Sequence, residues 1–172
     1  MMIGIVGTTS KASKLARLLA QSAEVTLSDP RLPMRAEQLA EELGGNVSAT
    51  TPYHQAMISD VLILAVEWPD LDRALAQLGP NQRGVVVDAM LPDAPLPRNG
   101  ALAIAHKLDS RRVVEAFLEP EPWDAGVSIC ADDPIARESI ASLLRSCGIE
   151  VHDDGPLANA ARNEQRVRAL AI

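Results

Sequence analysis

Hydrophobic positions along this chain alternate between strand-like runs and helical spacing. Ile3 to Val6 is a short apolar run; from about Ser10 the spacing turns helical, with Leu15, Leu18 and Leu19 on one face and Ser10 placed to cap it. Glu24 to Ser28 forms a second strand that Asp29-Pro30-Arg31 ends, because proline cannot continue a central ladder. This is β–α–β within about thirty residues. Met34 to Leu43 reads as a helix stopped by Gly44-Gly45, Val47 to Ala49 as a short strand, and Pro52 to Ser59 as a helical turn capped by Thr51.

The run Val61 to Val66 is apolar at every position, as suits a parallel strand covered on both faces. A helix over Asp70 to Leu78 and a strand over Gly84 to Asp88 follow, and then Leu91 to Gly100, with three prolines, is loop. The second half reads as a helix (Ala101 to Leu108), two strands (Arg112 to Leu118 and Gly126 to Ala131), and a helix over Ile135 to Ser146 that Asp132-Asp133 caps ahead of Pro134. A short strand over Glu150 to His152 and a terminal helix from Leu157 to Ile172 complete it. Strands alternating with helices imply an α/β protein with a doubly wound, mainly parallel sheet and helices on both faces. The expectation is one domain over residues 1–172, with 155–172 as a terminal helix that completes a homodimer or docks on its own sheet.

Composition narrows the partners. Aromatic residues make up only 2% of the chain, so the core must be built from Ala, Leu, Val and Ile. A net charge of −7 argues against nucleic acid and anionic membrane, which both need a basic surface. No stretch reaches the roughly 20 apolar residues of a membrane span, and no signal peptide opens the chain, so a cytoplasmic protein is expected. Cys130 and Cys147 read as reduced packing thiols. The three histidines and the Asp132-Asp133 and Asp153-Asp154 pairs lack catalytic or metal-ligand spacing, so neither a catalytic residue nor a metal site is assigned.

The candidate chemistry lies at strand ends, where open α/β sheets bind ligands. A dinucleotide fingerprint G-x-G-x-x-G would fall on Gly7, Thr9 and Ala12, or with a longer turn on Thr8, Ser10 and Ser13. Only Gly7 is a glycine in either frame. Small hydroxylated residues and the nearby Lys11 leave a weakened phosphate cradle as one reading and a plain turn as the other. Asp29 stands where a carboxylate accepts the ribose hydroxyls of NAD, with an ordinary strand-ending turn at Asp29-Pro30 as the equal alternative, whereas Arg31 could pair with the 2′-phosphate of NADP. Trp68 and Met90 are apolar walls for a flat ring, with packing as the simpler role.

Four stretches resemble the family of NADP oxidoreductases dependent on coenzyme F420: LILAVEWP (Leu62 to Pro69), VVVDAMLP (Val85 to Pro92), RVVEAFLE (Arg112 to Glu119) and DDGPLANAAR (Asp153 to Arg162). The resemblance implies a Rossmann-type fold, with Gly7, Thr8, Thr9, Ser10 and Lys11 against the pyrophosphate of NADP or NAD. It implies Asp29 and Arg31 at the adenosine ribose, and Ala65, Val66, Glu67, Trp68 and Pro69 near the nicotinamide. Met90 and Phe117 would face the substrate, a deazaflavin (F420) or flavin acting as hydride acceptor or donor. The chain departs from the family in its glycine loop, in Asp29-Pro30 where a basic pair is usual, and in Glu115 and Leu118 where Lys and Asn types are usual. It also ends soon after GPLANA, where family members continue into further helices, so a partner could supply that side. Two other functions compete: a non-catalytic nucleotide-sensing or protein-interaction module, and a dehydrogenase of a neighbouring family acting on a small carbonyl or prephenate-like substrate.

Overall fold

A computed structural model describes residues 1–50, 58–76, 78, 84–96, 98–119 and 122–170. The expected turn over Pro52 to Ser59 falls largely outside these residues, as do its cap Thr51 and the last two residues of the terminal helix. The chain divides into two compact units, Met1–Val86 and Val87–Ile172.

In the first unit, β1 (Met2–Val6), β2 (Glu24–Ser28), β3 (Val47–Ala49) and β4 (Val61–Leu64) lie in the order β3-β2-β1-β4. Every pairing among them is parallel, with Ile5 opposite both Leu27 and Ile63. The order reverses between β1 and β4, which makes that junction the topological switch point of an open α/β sheet. Helix α1 (Ser10–Leu19) buries Ala12, Leu15, Ala16 and Leu19, the face that the apolar spacing selects. Helix α2 (Pro33–Leu43) starts on its proline, whose fixed φ suits the first helical position, and stops at Gly44 with φ +61°.

Two helices differ from expectation. Thr9, rather than Ser10, caps α1: its backbone is extended and its hydroxyl accepts the Ala12 N–H, while Ser10 is already helical. The helix expected over Asp70 to Leu78 is a 3-10 turn at Trp68–Asp70 followed by α3 (Leu71–Leu75). Pro69 lets this turn begin early, and the Leu78 N–H returns to the Leu75 carbonyl in a tight turn instead of extending the helix.

Strand β5 (Val85–Asp88) runs across the division. In the first unit the Val85 N–H donates to the Asp60 carbonyl, and in the second the Asp88 carbonyl accepts from the Ala116 N–H. The second unit contains α4 (Gly100–Leu108), β6 (Val113–Glu115), β7 (Val127–Ala131), α5 (Pro134–Ser146), β8 (Val151–Asp153) and α6 (Ala160–Leu170). Strands β7 and β8 are parallel, whereas β6 and β7 are antiparallel, Glu115 facing Cys130. The sheet is thus mostly parallel, and the fold is of Rossmann type.

Strand β6 stops well short of the expected Leu118, because Phe117 takes a left-handed φ of 61° that no extended strand tolerates. The terminal helix is preceded by a 3-10 turn at Leu157–Asn159. Neither cysteine forms a disulfide among the described residues; Cys130 is buried and Cys147 stands at the C-terminal cap of α5. Among the described residues no helix is long and apolar enough to cross a membrane.

Candidate functional site

The loop after β1 is shaped by the one glycine that survives from the fingerprint. Gly7 has φ +123°, and a Cβ there would lie 2.4 Å from the Ala65 carbonyl oxygen at the end of β4. No side chain fits. Its N–H donates to the Ser28 carbonyl at 2.8 Å, tying the turn to the end of β2. Thr9, in the place of the second glycine, donates its hydroxyl to the Ala65 carbonyl at 2.8 Å while accepting the Ala12 N–H at 3.1 Å. Ala12, in the place of the third, is fully buried under the helix. The shorter frame, Gly7-Thr9-Ala12, is therefore the one the geometry supports. Thr9→Val removes a cap and an inter-loop bond together, and urea unfolding should show a loss of about 1–2 kcal/mol.

At the end of β2, Asp29 is only 9% exposed. Its Oδ1 accepts the N–H groups of Arg31 (2.8 Å) and Leu32 (2.9 Å), a turn in which the carboxylate organises the backbone that follows it. Its Oδ2 accepts the Thr8 hydroxyl at 2.8 Å. One carboxylate thus joins the loops after β1 and β2. The Arg31 guanidinium extends to the third loop, where its Nη1 lies 3.0 Å from Asp70 Oδ2.

These three loops enclose a cavity of about 170 Å³. Six of the residues expected to meet the cofactor, Thr8, Thr9, Asp29, Arg31, Val66 and Glu67, line it, and so do Pro30, Leu32 and Asp70. Of the other expected residues, Gly7 and Ala65 build the turn behind it, while Ser10, Lys11, Trp68 and Pro69 are not among its lining groups. Whole small-molecule pockets span roughly 300–1,000 Å³, so this cavity suits one portion of an extended ligand. In the sequence Asp70 reads only as the first residue of a helix. Its partnership with Arg31, 39 residues away, leaves no local signal.

Met90 and Phe117 belong to the second unit and are buried, at 4% and 1% exposure. Phe117 meets Trp123 edge to face at 5.2 Å. Near it lies a polar cluster that spacing did not reveal. Asn163 on α6 donates its side-chain amide to Glu115 Oε1 at 3.0 Å and to Cys130 Sγ at 3.4 Å. Glu164 Oε1 accepts the Gly100 N–H at the start of α4. Burial pushes the Glu115 carboxyl up to about 9; the Asn163 hydrogen bond opposes this, and nearby Asp88, Glu164 and Glu119 reinforce it. Burial, with Glu115 alongside, pushes the Cys130 thiol up to about 12, so it behaves as an inert packing group.

Residues 2–92, more than half of the chain, match the family described as NADP oxidoreductase, coenzyme F420-dependent. The chain belongs to this family. No curated protein matches it. Among solved structures it is similar to a candidate F420-dependent NADP reductase from Arthrobacter sp. FB24, with 21% identity, TM-score 0.81, and coverage of 98% of this chain and 91% of that one. A hypothetical protein from Sinorhizobium meliloti aligns with 23% identity and TM-score 0.77 over 93% of this chain and 88% of its own. An imine reductase from Myxococcus stipitatus, solved with NAD+, aligns with 14% identity and TM-score 0.75 over 99% of this chain and 60% of its own. At these identities the structures speak for the fold, and the family match makes the chain an NAD(P)-binding, oxidoreductase-like Rossmann protein.

Proposed function

We propose that the cavity at the ends of β1, β2 and β4 holds part of a nicotinamide dinucleotide, and that the protein passes hydride between it and a flavin-like or deazaflavin acceptor. The observation that carries this reading is Gly7, whose positive φ and lack of a Cβ keep the turn closed against Ala65 at the switch point. The residues present fit such a group: a glycine turn leads into the capped N-terminus of α1, whose dipole favours an anion. Ser10 and Lys11, in its first turn, would face the pyrophosphate. Asp29 and Arg31 serve the adenosine ribose, and the Ala65 to Pro69 segment serves the nicotinamide side.

When bound, the nicotinamide supplies or receives the hydride. The chain supplies position, because direct hydride transfer needs alignment more than an acid or base. Following nicotinamide absorbance with NADH or NADPH and with F420, FMN or riboflavin tests this, and turnover with at least one pair is expected. A nucleotide-binding module without transfer is the second reading. It is favoured by Thr8 and Thr9, whose hydroxyls both donate to acceptors within the protein. Binding without turnover on any acceptor would establish it in place of the oxidoreductase.

A further inference from the structure

We infer that the cavity of the first unit selects a dinucleotide with free ribose hydroxyls, NAD(H), over one carrying a 2′-phosphate, in contrast to the description of its family; the inference rests on reading that cavity as a nucleotide site. Among the described residues lining it, three carboxylates (Asp29, Glu67 and Asp70) stand against one guanidinium, that of Arg31. That guanidinium is already partnered by Asp70 at 3.0 Å. A 2′-phosphate would have to draw Arg31 from Asp70 and leave the Asp70 carboxylate facing it across the cavity.

Asp29 adds a second obstacle. Three hydrogen bonds, from Thr8 Oγ1 and from the Arg31 and Leu32 N–H groups, hold its carboxylate in place, so it cannot swing away from an incoming anion. Each carboxylate oxygen accepts about two hydrogen bonds. Oδ2 takes one from Thr8, which leaves capacity for a donor such as a ribose hydroxyl. A phosphate at neutral pH offers mainly acceptors. The same atoms that suit a ribose diol therefore repel its phosphorylated form.

Calorimetric titration of the full chain with NADH and NADPH, for wild type and Asp70→Asn, tests this. Wild type should bind NADH about tenfold or more tightly than NADPH, since like charges in one site oppose binding strongly. Asp70→Asn releases Arg31 and should narrow that gap several-fold. Raising the salt concentration on wild type should narrow it too, which gives a readout independent of the variant. Equal or tighter binding of NADPH by wild type, or a gap that neither the variant nor salt moves, overturns the inference and leaves the nucleotide site standing. Binding of neither nucleotide overturns both.

Discussion

Replacing Glu115 with Gln is expected to stabilise the protein at alkaline pH and to change little at acid pH. The carboxyl is 1% exposed, faces the Cys130 thiol and the Asn163 amide, and lies near the Asp88, Glu164 and Glu119 carboxyls. Burial first, then those neighbouring acids, raise its pKa from 4.5 to about 9. Between these values the folded protein keeps a proton that the unfolded chain has released, so stability falls as pH rises. The contribution is fully present below pH 4.5 and is lost progressively up to about pH 9.

Gln keeps an acceptor for Asn163 and carries no charge to neutralise. With one pKa unit worth about 1.4 kcal/mol, the variant should gain roughly 2–4 kcal/mol at about pH 8.5. Urea unfolding across that range checks it. The wild-type decline should shrink in Glu115→Gln without vanishing, because burial also raises the Glu164 carboxyl. Parallel pH profiles for the two proteins would contradict the assignment.

Gly7→Ala should be the most damaging small substitution in the first unit. Alanine at φ +123° is strained before any neighbour is considered, and its Cβ would fall 2.4 Å from a backbone carbonyl that cannot rotate aside. Ala65 at the end of β4 would have to move, which takes the Thr9 hydroxyl bond with it. The expected loss is about 3 kcal/mol or more. Gly44→Ala is the control: its φ is +61°, but a Cβ there meets nothing within 4 Å, so only the backbone term of about 1 kcal/mol applies. Equal losses in the two variants would show that the Gly7 turn is not held against Ala65 as described.

The β–α–β opening, the fully buried strand Val61–Leu64 and the Asp133-Pro134 start of α5 were legible in the sequence because each rests on local chemistry. Periodicity, caps and proline positions are properties of neighbours along the chain. Strand direction is not. The antiparallel pairing of β6 with β7 escaped the alternation pattern, although the described residues between Glu115 and Val127 contain only a 3-10 turn at Trp123–Ala125. A parallel return needs a crossover of about a dozen residues or more, usually a helix, so that short connection was the available signal.

In the candidate site, the Gly7 turn and Asp29 could be named from their offsets. The Thr8 bond to Asp29, the Arg31 pair with Asp70 and the Glu115–Asn163–Cys130 cluster each join residues more than 20 positions apart. No local pattern encodes them. They decide what the site can accept, since they determine which polar groups are already committed when a ligand arrives.

The most direct test of the account is to follow the backbone amide resonances of the protein during titration with NADH. The shifts should be largest over Gly7 to Ala12, Asp29 to Leu32 and Val66 to Asp70, the three loops at the ends of β1, β2 and β4. A saturating titration that leaves those amides unmoved, or that moves only residues of the second unit, would contradict the assignment of this cavity to the dinucleotide.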